Sequence, residues 1–385
     1  MSKTIVLLGA SGSIGFQTLD IVKKNPQDFV LKGISIGRKT RKIRGILRTF
    51  PSVEAVCIQE KNKVSYYQKQ YPNVSFFSGD DGLIKLIDKC RAEMVVNALV
   101  GFVGLYPSIY SLTNNYKLAL ANKESLVVGG DIINRLLSEG HGQLFPIDSE
   151  HSALWKCLKV DDQNVDKLVI TASGGAFRKL SREELVDVKA SDALKHPTWK
   201  MGPKITIDCA TMVNKSFEVI EAYYLFGYDY EHIDILLHDE SMIHSLVRYR
   251  DGLYRAEVSH PDMRNPIRFA LYEGEIPFDT EVADDYHKYG PYHFHDFNIK
   301  RYPVVKHART VMEKGGTYGA VFNASNEVAV NAYLRDEIPF LAIESLIDRC
   351  MKEHVNEEAK DYQTLLRVDT KTRKYVRDLI KKGEY

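Results

Sequence analysis

Thr4-Ile5-Val6-Leu7-Leu8-Gly9-Ala10-Ser11-Gly12-Ser13-Ile14-Gly15 opens the chain with a short apolar run, a glycine-punctuated turn and an amphipathic stretch that continues to Lys24. Five apolar residues in a row fit a buried parallel strand. Glycines at 9, 12 and 15 allow a tight turn and a close backbone approach, and they leave the first amides of the following helix free to meet a pyrophosphate. The spacing G-x-x-G-x-x-G is a variant of the dinucleotide-binding fingerprint, and its place at the first strand-to-helix turn gives it its meaning. A second strand, Val30 to Ile36, runs into Gly37-Arg38-Lys39-Thr40-Arg41-Lys42. A chain that binds NAD usually carries an acid at this point for the ribose hydroxyls, whereas Arg38 and Lys39 suit a 2′-phosphate, so the reading is NADPH. A solvated charge run opening a helix would also explain these residues.

Apolar runs at Ala55–Ile58, Val74–Phe77, Glu93–Ala98, Lys117–Leu120 and Gln143–Phe145 continue the strand and helix alternation. The pattern predicts an α/β fold with an N-terminal Rossmann-like, doubly wound parallel sheet. In such sheets ligands collect at the carboxyl ends of the strands, which places Asn122, Lys123 and Glu124 on the cofactor side. The last of these runs leads into Pro146-Ile147-Asp148-Ser149-Glu150-His151. Side chains at i and i+2 of an extended chain share a side, so Asp148 and Glu150 are expected to converge. Carboxylates that share a site repel unless a proton or cation lies between them, and an all-oxygen donor set favours Mg²⁺ or Mn²⁺. The third ligand is expected from Glu218, because Met212-Val213-Asn214-Lys215-Ser216-Phe217-Glu218 reads as a helix with Asn214, Lys215 and Glu218 on one face. The plainer reading makes Asp148 the cap of a helix that starts near Ser149, with Glu150 as its first-turn acid.

The whole chain has 385 residues, too many for one ordinary core, and its 52 Lys+Arg against 51 Asp+Glu give no global charge for nucleic acid or an anionic membrane. Five cysteines, at 57, 90, 157, 209 and 350, form no C-x-x-C pair, which speaks against a disulfide framework or a zinc site. With no signal layout and no 18-residue apolar run, the expectation is a cytoplasmic protein without a membrane partner.

Further along, Ile170-Thr171-Ala172-Ser173-Gly174-Gly175-Ala176-Phe177 ends in a small-residue turn whose amides and hydroxyl can hold a phosphate, though a tight turn alone explains it as well. Arg178 to Pro203 is polar and closes with His196-Pro197-Thr198-Trp199-Lys200-Met201-Gly202-Pro203, a layout suited to a lid anchored by Trp199, unless that ring simply fills a gap in the core. Strand-like runs at Ile233–Leu237, Ile243–Tyr249 and Leu253–Val258 predict a mixed sheet in a central α+β domain. Tyr286–Arg301 has no regular period and reads as an outer connection. Helical periodicity at Tyr318–Leu334, Pro339–His354 and Leu365–Lys382 predicts a C-terminal helical bundle that braces the central domain.

Taken in order, Gly9–Gly15, Leu120-Ala121-Asn122-Lys123-Glu124-Ser125-Leu126-Val127, Pro146–His151, Ala172-Ser173-Gly174-Gly175, His196–Gly202 and Asn214-Lys215-Ser216-Phe217-Glu218 resemble the 1-deoxy-D-xylulose 5-phosphate reductoisomerase family over nearly the whole chain. The resemblance implies NADPH- and divalent-metal-dependent conversion of 1-deoxy-D-xylulose 5-phosphate to 2-C-methyl-D-erythritol 4-phosphate, a step toward isoprenoid precursors. It also implies a homodimer. It puts the metal on Asp148, Glu150 and Glu218, and NADPH on Ser11, Gly12, Ser13, Ile14, Gly37, Arg38, Lys39, Asn122, Glu124 and Gly202. The sugar phosphate falls to Lys123, Ser149, Glu150, Ser173, His196, Trp199, Cys209, Asn214, Lys215 and Glu218, with Lys123, Glu150, His196 and Lys215 closest to the chemistry. Two positions depart from the family pattern. Cys209 stands where a serine is usual, and a thiol is a weaker, longer donor to phosphate; Ser216 stands where glycine is usual.

The implied organisation is an NADPH-binding domain at 1–147, a catalytic domain with its lid at 148–285, a linker at 286–309 and the bundle at 310–385. Two other readings of the same residues remain open at this point. One is a plain NADP-dependent dehydrogenase with a metal-bound hydroxy-acid substrate, and the other is an NADPH-binding sensor whose carboxylates only cap helices.

Overall fold

Gly9 holds a φ of +88°, and a β-carbon there would lie 2.4 Å from the carbonyl oxygen of Ala98, so the first turn is possible only with glycine. The same exclusion applies to Gly15, whose β-carbon would lie 2.3 Å from the Gly9 carbonyl. Gly12 differs: its nearest neighbour would be 3.4 Å away, an ordinary contact, so packing alone does not demand glycine there.

The computed structural model describes residues 2–199, 201–277 and 290–385, which form two compact units. The first comprises Met1–Ser125, Ile133–Asp148 and Met263–Ile276. It is built on β1 (Lys3–Leu8), β2 (Phe29–Ile36), β3 (Ala55–Ile58), β4 (Ser75–Ser78), β5 (Met94–Asn97), β6 (Lys117–Leu120) and β7 (Gln143–Pro146). All pairs are parallel and the order is β4-β3-β2-β1-β5-β6-β7. The order reverses at β1, between β2 and β5, which is the switch point where such sheets take a ligand. Helices α1 (Ser13–Lys24), α2 (Ile43–Thr49), α3 (Val64–Gln70), α4 (Gly79–Cys90) and α5 (Leu105–Thr113) alternate with the strands, and α6 (Lys123–Ser138) follows β6 with a break in helical geometry at Gly129. Ile5, Val6, Leu7, Leu8, Val95 and Val96 are fully buried, as a strand covered on both faces requires.

The second unit comprises Leu126–Ile132, Ser149–Asp262 and Pro277–Tyr385. Its sheet contains β8 (Val165–Ala172), β9 (Ile233–His238), β10 (Ile243–Tyr249), β11 (Tyr254–Val258) and β12 (Phe294–Asp296), in the order β11-β10-β8-β9-β12. It is mixed: β8 and β9 run parallel, and the other pairs are antiparallel. Around it lie α7 (Ser149–Val160), α8 (Ala190–Ala193), α9 (Pro203–Thr211) and α10 (Val213–Phe226). After α11 (Arg264–Leu271), which belongs to the first unit, come α12 (Lys306–Lys314), α13 (Tyr318–Tyr333), α14 (Phe340–Glu353) and α15 (Tyr362–Lys382). The expected α/β class, with a parallel sheet, a mixed sheet and C-terminal helices, is the architecture found.

Two features of the structure lie outside the sequence reading. The connection read at Tyr286–Arg301 contains β12, a three-residue edge strand too short for a periodic signal, whose identity comes from its pairing with β9. Residues 286–289 of that connection lie outside the described residues. Met263–Ile276, included on sequence in the central domain, clusters with the first unit. There Arg264 Nε donates to Asp20 at 2.8 Å, the Tyr272 and Phe29 rings meet edge to face at 4.9 Å, and Glu273 takes Lys117 at 2.8 Å.

The close approach of α13 to the middle of α6 rests on Gly319, where a β-carbon would lie 1.8 Å from the Val127 carbonyl oxygen. Gly319→Ala is expected to lower the thermal midpoint by about 5 °C or more. Gly45→Ala, with nothing within 4 Å of the added carbon, is expected to leave it unchanged or raised in the same scans.

Candidate active site

Helix α7 begins at Ser149, directly after Asp148, and Glu150 lies in its first turn. The expectation that Asp148 and Glu150 converge holds, but the reason differs from strand alternation: the chain turns from β7 into α7 between them. Helix α10 supplies the facing wall and is buried over most of its length, including Asn214, Lys215, Ser216, Phe217, Glu218 and Glu221. It joins α9 through Met212, a non-glycine residue at φ +65°. This left-handed joint costs on the order of 1 kcal/mol or more and sets Cys209, at the end of α9, close in the chain to Asn214 and Lys215 at the start of α10.

Lys215 is the centre of the arrangement. Its side chain is 4 % exposed, and its ammonium contacts Glu218 Oε2, Glu150 Oε1 at 3.2 Å and the Thr171 carbonyl at 2.5 Å. Asn214 Nδ2 donates to the other oxygen of Glu218, and Ser149 Oγ donates to Glu150 Oε2 at 2.6 Å. Lys123 pairs with Asp148 Oδ2 at 2.5 Å. Asp148, Glu150 and Glu218 each offer an oxygen within 4.8 Å of the others.

Three carboxylates and two ammonium groups leave one negative charge, and the donor set is oxygen only, which suits a hard divalent cation. Asp148 also lies within 4.8 Å of His151 and Glu221 as a second group. There His151 Nε2 donates to the Glu218 backbone carbonyl at 2.8 Å, and Nδ1 lies 3.3 Å from Glu221. His151 and Glu221 were not singled out on sequence. Their pairing ties α7 to α10 directly behind the carboxylates, an arrangement that only the packed structure displays.

The phosphate-type turn follows β8. Gly174 and Gly175 have φ of +77° and +70°, and a β-carbon on Gly175 would lie 2.6 Å from the Cys209 carbonyl, so the turn lies against α9. Ser173 Oγ is 3.0 Å from His196 Nε2. The amides of Thr198 and Trp199 donate to His196 Nδ1 at 3.3 and 3.0 Å, so that nitrogen carries no proton and the neutral ring donates through Nε2. Gly175 N also donates to Ser173 Oγ at 3.3 Å. The serine oxygen thus accepts twice, and its own hydrogen is free to point to an incoming acceptor. Trp199 is half-buried, its ring 6.1 Å from that of His244.

In the first unit, Arg38 and Lys39 are exposed beyond β2, and Lys42 Nζ donates to the Ser11 carbonyl at 3.1 Å, which ties the basic run to the glycine turn. Asn122 is fully buried, and its amide nitrogen donates to Leu99 O, Gly101 O and Glu124 Oε2 at 3.1, 3.0 and 2.9 Å. Its place is therefore as a brace of the loop after β5, with Glu124 beside it. Ser11, Gly12, Ser13 and Ile14 lie along the start of α1, and Gly202 is the N-cap of α9.

A doubly wound dinucleotide-type sheet, joined in the same chain to an acidic centre suited to a divalent cation and to a turn suited to a phosphate, defines the class. Family profiles described as 1-deoxy-D-xylulose 5-phosphate reductoisomerase, its C-terminal domain, and DXP reductoisomerase C-terminal domain match residues 5–130, 144–226 and 258–375. The 1-deoxy-D-xylulose 5-phosphate reductoisomerase of Listeria monocytogenes is 40% identical over 384 residues, covering 98% of this chain and 100% of the relative. That of Geobacillus kaustophilus is 42% identical over 381 residues with the same coverage. A crystal structure of DOX-P reductoisomerase in complex with NADPH, fosmidomycin and magnesium has 30% identity and a TM-score of 0.92, covering 98% of each chain. The Zymomonas mobilis enzyme in complex with NADPH has 30% identity and a TM-score of 0.90, covering 99% of each chain. The chain belongs to the 1-deoxy-D-xylulose 5-phosphate reductoisomerase family.

Burial, with the Arg178 guanidinium adding to it, pushes the His196 imidazole down to about 4, and burial does the same to His307. Both rings are neutral in the folded chain where the unfolded chain, at about 6.5, begins to take up protons. The stability they contribute is complete above about pH 6.5 and is lost as the pH falls toward 4. Denaturant midpoints measured across that window are expected to fall on acidification, and His196→Asn to flatten part of the slope.

Proposed function

We propose that this chain converts 1-deoxy-D-xylulose 5-phosphate to 2-C-methyl-D-erythritol 4-phosphate with NADPH and a divalent cation. The observation that carries the reading is the carboxylate group Asp148, Glu150 and Glu218, knit together by Lys215, in a full-length member of the reductoisomerase family. The bound cation supplies Lewis-acid polarisation of the substrate carbonyl, and NADPH supplies the hydride that reduces the rearranged aldehyde.

The protein's own residues supply the rest. Lys215 keeps an ammonium beside the carboxylates, where negative charge grows on the substrate oxygen as the carbon–carbon bond breaks. Lys123, paired with Asp148, brings a second ammonium to the same edge. Ser149 and Asn214 hold Glu150 and Glu218 in orientation through hydrogen bonds to them. Ser173, whose hydroxyl hydrogen is free to point to an acceptor, and His196 beside it form the phosphate subsite. That anchor turns remote binding energy into placement of the reacting carbons. Cys209 offers a thiol at the same end. Trp199 covers the site and excludes water from the aldehyde.

Arg38 and Lys39 take the 2′-phosphate of NADPH, and Ser11, Gly12, Ser13 and Ile14 take its pyrophosphate. The protein works as a cytoplasmic homodimer, a reading that rests on its family membership. Among the described residues no helix is long and apolar enough to cross a membrane.

Purified protein given the substrate and NADPH is expected to oxidise NADPH only when Mg²⁺ or Mn²⁺ is restored after chelation, with NMR showing the branched methylerythritol phosphate. NADPH oxidation without carbon rearrangement would contradict the assignment and favour a plain dehydrogenase. Glu218→Gln is expected to lower kcat by roughly a hundredfold or more while NADPH binding stays within about twofold of the parent, as read by fluorescence titration.

A further inference from the structure

Arg178 stands five residues after Ser173 and was not singled out on sequence. Its Nη1 donates to the Ser173 carbonyl at 3.3 Å and to the Asp239 carbonyl at 3.0 Å, and lies 3.6 Å from Asp239 Oδ1. The turn closes over the arginine stem: a β-carbon on Gly174 would lie 2.7 Å from Arg178 Cβ. The Arg178 side chain is 21% exposed, so its charge is partly withdrawn from water beside the Ser173 turn.

Asp239 opens the short connection between β9 and β10, and the connection is itself pinned. Asp239 N donates to the His293 carbonyl at 3.2 Å, Met242 N donates to His238 Nε2 at 3.2 Å, and Ser241 holds the left-handed φ of +56°. Ser241 Oγ lies 3.0 Å from Thr198 Oγ1, in the loop that carries Trp199. Thr198 and Trp199 donate their amides to His196, and His196 returns to Ser173. The contacts thus close a ring through Ser173, Arg178, Asp239, Ser241, Thr198 and His196. All six residues lie in the second unit.

We propose that Arg178 and Ser241 are positioning residues for recognition of the substrate phosphate. Through Asp239 and Thr198 they make the β9–β10 tip the piece that holds the Ser173 turn and the Trp199 loop in a common register. Arg178 acts through the turn and through the positive potential it adds there, and Ser241 acts through the lid. A turn out of register would direct the Ser173 hydroxyl away from the phosphate, and the loss would appear in KM for the sugar phosphate. The inference rests on the reading that Ser173 and His196 take the phosphate.

The test uses the full chain in a Trp155→Phe background, which leaves Trp199 as the single indole of the two in the sequence. Arg178→Met is expected to raise KM for 1-deoxy-D-xylulose 5-phosphate by about tenfold or more, with kcat within about threefold and KM for NADPH unchanged. Both Arg178→Met and Ser241→Ala are expected to increase acrylamide quenching of Trp199, measured without ligand and again with inorganic phosphate. The double variant is expected to raise KM by less than the product of the two single effects, as members of one circuit do.

A KM within twofold of the parent, strictly multiplicative single effects, or Trp199 quenching that neither substitution changes would each overturn the proposal. So would a parallel loss of thermal stability and NADPH affinity, which would reduce Arg178 to a fold-stabilising residue. If the parent chain turns over no sugar phosphate, the functional reading fails. The ligand-free quenching comparison still decides whether the tip governs the lid.

Discussion

Carboxylates gathered in a part-buried site repel one another, and the second unit of this chain is arranged around how that repulsion is balanced. Lys215 provides the permanent answer. Its ammonium, sealed against Thr171 and touching both Glu150 and Glu218, holds two acidic side chains from different helices in one place. A buried pair of this kind is a poor source of net stability, because desolvation offsets much of the attraction. Removing one partner would be costly, since it would strand the remaining charge. What the arrangement secures is geometry. Glu150 and Glu218 cannot splay apart while the ammonium lies between them, Asn214 and Ser149 orient their carboxylates, and the His151 ring holds the Glu218 backbone. With a net negative charge left over and oxygen donors facing one another, a divalent cation completes the balance.

The supporting structure follows from keeping α9 and α10 where that balance needs them. Asp208 of α9, almost fully buried, takes Lys204 at 2.8 Å and the amide of Asn326 on α13 at 2.9 Å. Phe217 of α10 meets Phe322 of α13 edge to face at 5.0 Å. The C-terminal helices are in turn held by Arg373, whose guanidinium spans Asp369 and Glu327 at 2.7 and 2.8 Å. Burial pushes the Asp369 carboxyl upward, so this cluster depends on Arg373 for its charge state. The helices farthest along the sequence thus pack directly on the helices that carry the site.

Much of this was legible in the sequence because its signals are local. The strand, glycine turn and helix of residues 4–24, the length of β3 at Ala55–Ile58 and that of β10 at Ile243–Tyr249 follow from apolar runs bounded by turn residues. The acidic group was also readable, since Asp148 and Glu150 adjoin in the chain and Glu218 lies one helical turn from Asn214 and Lys215. What the sequence concealed depends on contacts between distant segments. No pattern marks β12, because its three residues become a strand only against β9. Arg178 resembles any charge at the start of a polar loop until Asp239, 61 residues later, is seen to face it. The brace that the buried Asn122 amide gives the loop after β5 is likewise seen only in the packed chain. The buried His151–Glu221 pair reads as two unremarkable helix residues until α7 and α10 pack together.

The central claim is that Asp148, Glu150 and Glu218 are the ligands of one divalent cation. Calorimetric titration of metal-free protein with Mn²⁺ tests it without reference to turnover. The account predicts one ion per chain and a loss of affinity of roughly a hundredfold for each of Asp148→Asn, Glu150→Gln and Glu218→Gln. Undiminished Mn²⁺ binding in these three variants would contradict it.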